Sequence, residues 1–76
     1  MELKVSLPRE YVDELADELE KEFGDNIKFY EELQKVWMED ALKIISIICT
    51  SYEIYEKVKK YLKKKQEEGF PIKKIE

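Results

Sequence analysis

Histidine is absent from the 76 residues, and the chain has one cysteine, one arginine, one threonine, one asparagine, two alanines, two glycines and two prolines. Without histidine no Ser-His or Cys-His catalytic pair can exist, and the commonest general base, metal ligand and near-neutral pH switch go with it. One cysteine permits no intramolecular disulfide and no Cys-rich zinc site. The only glycines, Gly24 and Gly69, both sit where a helix would end, so there is no glycine-rich phosphate loop. No window approaches the ~20 apolar residues of a membrane span. The longest apolar run is Ile44–Cys49, and Ser46 interrupts it. Residues 1–20 are acidic and amphipathic with no continuous apolar stretch, so they do not read as a signal peptide. A free cysteine without a targeting signal suits a reducing cytoplasm.

The chain is 43% hydrophobic, enough for a core and too much for a disordered segment, and its length allows one domain, 1–76. A core this small supplies only about 3–5 kcal/mol beyond the entropy cost, so idealised elements or a second subunit are expected to help. Thirteen Lys against one Arg, with 14 Glu and 8 Ile, fit a thermostable protein relying on surface ion pairs. The same composition, with its helix punctuation, also fits a computational design. Cys49, Trp37, Met38 and the scarcity of alanine stand against design.

Glu2–Leu7 alternates, with Leu3, Val5 and Leu7 on one side, and predicts a half-buried strand. Pro8 suits the first turn of a helix. Tyr11, Val12, Leu15, Ala16, Leu19 and Phe23 recur at three and four and predict a helix over about 9–23, closed by Gly24. Thr50 and Glu53 have capping-box spacing, Ile54, Tyr55, Val58, Tyr61 and Leu62 form an apolar face, and Gly69 and Pro71 stop it. This second helix is expected over about 51–68, followed by a short strand from Ile72 to Ile75. Ile44–Cys49 is rich in β-branched residues and reads as a central strand. Residues 28–42 fit two patterns. Ile27, Phe29, Leu33 and Trp37 share strand parity, with Glu31 and Lys35 intruding, while Phe29, Tyr30, Leu33, Val36, Trp37 and Ala41 fit a helix. The strand is preferred because it gives Ile44–Cys49 an antiparallel partner.

The order β-α-β-β-α-β resembles the ferredoxin-like superfold over essentially the whole chain. The resemblance implies an α+β sandwich, a four-stranded antiparallel sheet with two helices on one face. It carries no function by itself. Acylphosphatases share this order but use an arginine in a phosphate-cradling loop; here Arg9 follows Leu7-Pro8 without glycines and reads as a surface residue. Heavy-metal-binding members carry Cys-x-x-Cys after the first strand, and this chain does not. RNA-recognition modules stack bases on sheet aromatics. Here the outer positions of the two central strands hold Glu2, Lys4, Ser6, Leu42, Ile44, Ser46 and Ile48, with no aromatic among them.

Charge is divided unevenly. Residues 9–40 hold 12 acidic and 4 basic side chains, and residues 41–76 hold 5 acidic and 9 basic, within a chain of net charge -4. Helix pairing side by side explains this as intramolecular complementarity, helped by lysines near the second helix's C-terminus. The functional reading is a basic surface of Lys57, Lys60, Lys63 and Lys64 beside Tyr52, Tyr55 and Tyr61, facing nucleic acid or an acidic partner. A pI near 5.0 opposes nucleic acid. Cys49 reads as a buried structural thiol, although a helix N-terminus nearby lowers a thiol pKa. If Ile45, Ile47 and Cys49 face the helices, then Leu42, Ile44 and Ile48 point outward, with Tyr30, Val36 and Met38 beside them. Such a patch reads as an interface, for a homodimer or another protein. The ACT-type regulatory modules of this superfold often pair through sheets, which is analogy at the level of the fold. The expectation is a non-enzymatic interaction or assembly module, or a designed scaffold without catalytic activity, with no cofactor, no metal and no membrane contact.

Overall fold

A computed structural model describes residues 1–31 and 42–76. Strand β1 spans Glu2–Pro8, and a 3-10 turn over Arg9–Tyr11 leads into helix α1, Val12–Phe23. A second 3-10 turn, Gly24–Asn26, opens strand β2, Ile27–Glu31. Strand β3 is Leu42–Cys49, helix α2 is Tyr52–Glu67 and strand β4 is Lys74–Ile75. The sheet order is β2-β3-β1-β4 with every pair antiparallel, the ferredoxin-like order.

The period-two pattern becomes two faces. Leu3 pairs with Ile47 and Val5 with Ile45, while Ile27 pairs with Cys49 and Phe29 with Ile47. Leu3, Val5, Leu7, Ile45 and Ile47 are fully buried in one cluster with Val12, Leu15 and Leu19 of α1 and Val58 and Leu62 of α2. Both helices therefore lie on that face. Each wholly buried aliphatic side chain contributes roughly 1.5–3 kcal/mol of transfer free energy. Aromatic pairs tie the helices: Phe23 meets Tyr61 edge-on at 5.7 Å, and Tyr11 meets Phe70 at 5.7 Å. Lys65 of α2 also bridges to Glu18 of α1, so the opposed helix charges are partly spent inside the molecule.

The ends differ in detail from expectation. Pro8 does not begin the helix; it closes β1, pairs with Leu42 and caps the 3-10 turn. Its missing N–H costs no β4 bond there, because β4 pairs only with Val5 and Ser6. The cap of α2 is Ser51 rather than Thr50: Ser51 Oγ accepts from Ile54 N–H at 3.3 Å. Thr50 N–H instead donates to Asn26 C=O at 3.1 Å, which prolongs the ladder by one residue and leaves Ser51 the first one free to turn. The C-terminus of α2 is a Schellman motif, with Phe70 N–H on Lys65 C=O and Gly69 N–H on Gln66 C=O. Gly69 takes φ 104°, where a side chain is strained. The last strand is shorter than expected. Ile72 is buried, but its N–H turns back to Phe70 C=O, and only Lys74–Ile75 is strand.

Residues 27–31 are strand, so a helix beginning at 28 is excluded. The continuation through Leu33, Lys35, Trp37 and Ala41 lies outside the described residues. Glu31 does fall on the helix side of the sheet, opposite Ile45. It lies exposed there, and its carboxylate meets Lys43 Nζ at 3.4 Å.

Candidate interaction surface

Among the described residues no helix lies on the other face of the sheet. Its side chains follow from the register in rows. Lys28, Ile48 and Glu2 form the first row, and Tyr30, Ser46 and Lys4 the second. Ile44, Ser6 and Lys74 form the third, and Leu42 stands beside Pro8 in the fourth. The expected outward direction of Leu42, Ile44 and Ile48 therefore holds, and Tyr30 is 53% exposed beside them. The three aliphatic side chains are half-buried. Ser46, in the middle of the stripe, is only 5% exposed. Val36 and Met38, the other two residues expected on this surface, lie outside the described residues.

Lys28 escaped the sequence reading, which placed Glu2 outward; the two are exposed on either side of Ile48. The parity that placed Tyr30 outward also places Lys28 outward. Which residues flank Ile48 follows only from long-range register. Among the described residues neither Glu2 nor Lys28 is within an ion pair's 4 Å of an opposite charge.

The basic residues Lys57, Lys60, Lys63 and Lys64 are all exposed on α2, on the side of the domain away from the open sheet face. Acidic residues punctuate this helix: Glu53 and Glu56 stand one turn before Lys57 and Lys60, and Glu67 and Glu68 one turn after Lys63 and Lys64. That spacing is typical of a solvated helix face. Tyr52 and Tyr55 stack at 5.9 Å, Lys59 lies over Tyr55, and the Glu56 carboxylate raises the Tyr52 phenol above its ordinary value.

Cys49 is 3% exposed, and burial raises its thiol above the ordinary value, outweighing the opposite pull of the N-terminal ammonium. That ammonium donates to Cys49 C=O at 3.3 Å. A protonated, buried thiol is packing material rather than a nucleophile. Among the described residues no three His, Cys, Asp or Glu side chains cluster as a metal site, and no helix is long and apolar enough to cross a membrane. A groove of about 490 Å³ runs between α1 and β2, lined by Ala16, Glu20, Gly24, Asp25, Ile27 and Phe29. Among the described residues its polar side chains are the carboxylates of Glu20 and Asp25.

Compared with known protein families, curated proteins and solved structures, the chain matches none.

Proposed function

We propose that this chain is a non-enzymatic interaction or assembly module of the cytoplasm that makes its contact through the open sheet face. The observation that carries the reading is the stripe of Leu42, Ile44 and Ile48 along the central strand, flanked by the exposed Tyr30 ring. Aliphatic side chains on a sheet face lose water on contact, and an exposed aromatic is a favoured anchor. Light scattering from micromolar to millimolar protein tests it. Association that Ile44→Lys with Ile48→Lys abolishes, while the far-UV circular dichroism and melting survive, supports the reading. A 9.2 kDa particle throughout overturns assembly.

The second reading is an acidic partner, including nucleic acid, on Lys57, Lys60, Lys63 and Lys64. It is favoured by the stacked Tyr52 and Tyr55 nearby and opposed by the interleaved glutamates and the net charge of -4. A gel shift that weakens steeply with salt and is lost on Lys60→Glu with Lys64→Glu would favour it over the first.

A further inference from the structure

We propose that the outer edge of β4 pairs antiparallel with β4 of a second copy of this chain, joining two four-stranded sheets into one of eight strands. The contact uses the sheet edge and goes beyond the open-face reading. It follows from the direction of the backbone groups. Lys4 and Glu76 exchange both bonds: Lys4 N–H donates to Glu76 C=O at 2.9 Å, and Glu76 N–H to Lys4 C=O at 2.7 Å. In an antiparallel ladder such a pair alternates with one whose N–H and C=O point away from the neighbouring strand. Ile75, opposite Val5, is in that position, so its N–H and C=O point out of the sheet edge. Among the described residues neither group has a partner. β4 and β2 are the two edges of the sheet, about 14 Å apart at 4.8 Å per strand.

A two-fold axis perpendicular to the sheet, beside Ile75, puts the two copies in register. Ile75 of each copy then donates to and accepts from Ile75 of the other. The flanking pairs set Lys74 opposite Glu76 of the other copy, and Glu76 opposite its Lys74. An isologous contact needs this self-complementarity. The next outward position does not compete, because Lys73 N–H is already spent on Ser6 C=O at 2.7 Å. In the flanking pairs, which exchange no backbone bond, Cα atoms stand about 4.5 Å apart, so side chains there sense each other's charge most directly. The Lys74 and Glu76 side chains are 68% and 53% exposed, and their own contact within the chain, at 3.6 Å, is a surface pair of little worth. A foreign strand with a single sign of charge meets either Lys74 or Glu76 with its like, which favours a second copy. Two backbone bonds and two ion pairs make a small contact of the weak, transient class.

Dilution of isotope-labelled protein from millimolar to micromolar tests the edge directly by NMR. The Ile75 amide is protected from hydrogen exchange in the concentrated sample and exchanges freely in the dilute one, while the amides of the central strand β3 do not change. Charge reversal tests the register. Lys74→Glu and Glu76→Lys each set like charges opposite one another twice per dimer, so each variant alone associates roughly fivefold to tenfold more weakly. Mixing the two makes both pairs opposite again, so the mixture recovers wild-type association as a heterodimer, and K74E/E76K recovers it as a homodimer. Sedimentation mass over a concentration series reads all four. Reversals without effect, weakened variants that mixing does not rescue, or an Ile75 amide indifferent to concentration overturn the inference. If Ile44→Lys with Ile48→Lys breaks association in that case, the open-face reading survives and only the edge contact is wrong. A wild-type monomer at millimolar concentration overturns both.

Discussion

Ile47 and Ile48 are adjacent in the chain and serve opposite faces, so replacing each by alanine measures the face assignment directly. Ile47 is fully buried against the helices, and Ile48 is half-buried on the open face. Ile→Ala removes three carbons, about 2.4 kcal/mol of transfer free energy at ~0.8 per methylene. At Ile47 a closed cavity is left behind, which raises the loss to about 3–4 kcal/mol. At Ile48 water enters freely and only the covered part is lost, about 1 kcal/mol. The lower β-propensity of alanine acts on both and drops out of the comparison. A domain of this length is stable by roughly 4–11 kcal/mol, so Ile47→Ala removes a large share of it. At about 4–8 °C per kcal/mol, the melting temperature falls by roughly 12–30 °C for Ile47→Ala and 4–8 °C for Ile48→Ala. Urea unfolding followed by far-UV circular dichroism, at micromolar protein where association is negligible, reads both values. Because a one-residue slip exchanges the faces of a strand, equal losses or a larger loss at Ile48 would refute the assignment.

The cap of α2 gives a second comparison: Ser51→Ala costs about 1 kcal/mol by stripping the Ile54 N–H of its acceptor, whereas the exposed Thr50→Ala is near neutral. Chemical denaturation of the pair decides between the two positions, and a larger cost at Thr50 sinks the Ser51 cap. Stability should also fall in alkali. Burial raises the Cys49 thiol above 9.0 and, as the largest cause, the Tyr61 phenol above 10.0; hydrogen bonding to Glu18 raises the Lys65 ammonium above 10.5. All three hold protons more tightly when folded, so their contribution is complete below the unfolded value and is lost as pH rises through the folded one. Melting temperatures should be level from pH 7 to about 8.5 and decline above about 9, with Cys49→Ala removing the earliest part; a rise toward pH 10.5 contradicts the sign.

Much of this architecture was legible because local patterns and tertiary demands agree. Leu3, Val5 and Leu7 alternate since one side of β1 meets helices and the other meets water, and Leu15, Leu19, Val58 and Leu62 repeat at helical spacing for the same reason. The failures sit at boundaries. Thr50 and Ser51 offer the same hydroxyl, and what separates them is a hydrogen bond from Thr50 to Asn26, far away in the chain. Ile72 has strand chemistry, but its backbone is turned by the Phe70-Pro71 exit from the helix. The aliphatic half of the candidate surface followed from parity, with Leu42, Ile44 and Ile48 outward. Parity placed Glu2 outward as well, but not the row Lys28-Ile48-Glu2, which is set by pairing across two different strand junctions.

The position of β1 has a consequence for how the chain acquires its structure. It is the first strand in sequence and an inner strand of the sheet, yet Val5 must wait for Ile45 on one side and Ile75 on the other. Both closures are long-range, and the second spans nearly the whole chain, so the entropy of loop closure falls due before any reward. During synthesis Leu3, Val5 and Leu7 emerge well before Ile45 and Ile75, and Val5 finds its last neighbour only when Ile75 has left the ribosome. Until then Glu2 and Lys4, alternating with those apolar side chains, are the charges that discourage the nascent strand from pairing with another chain.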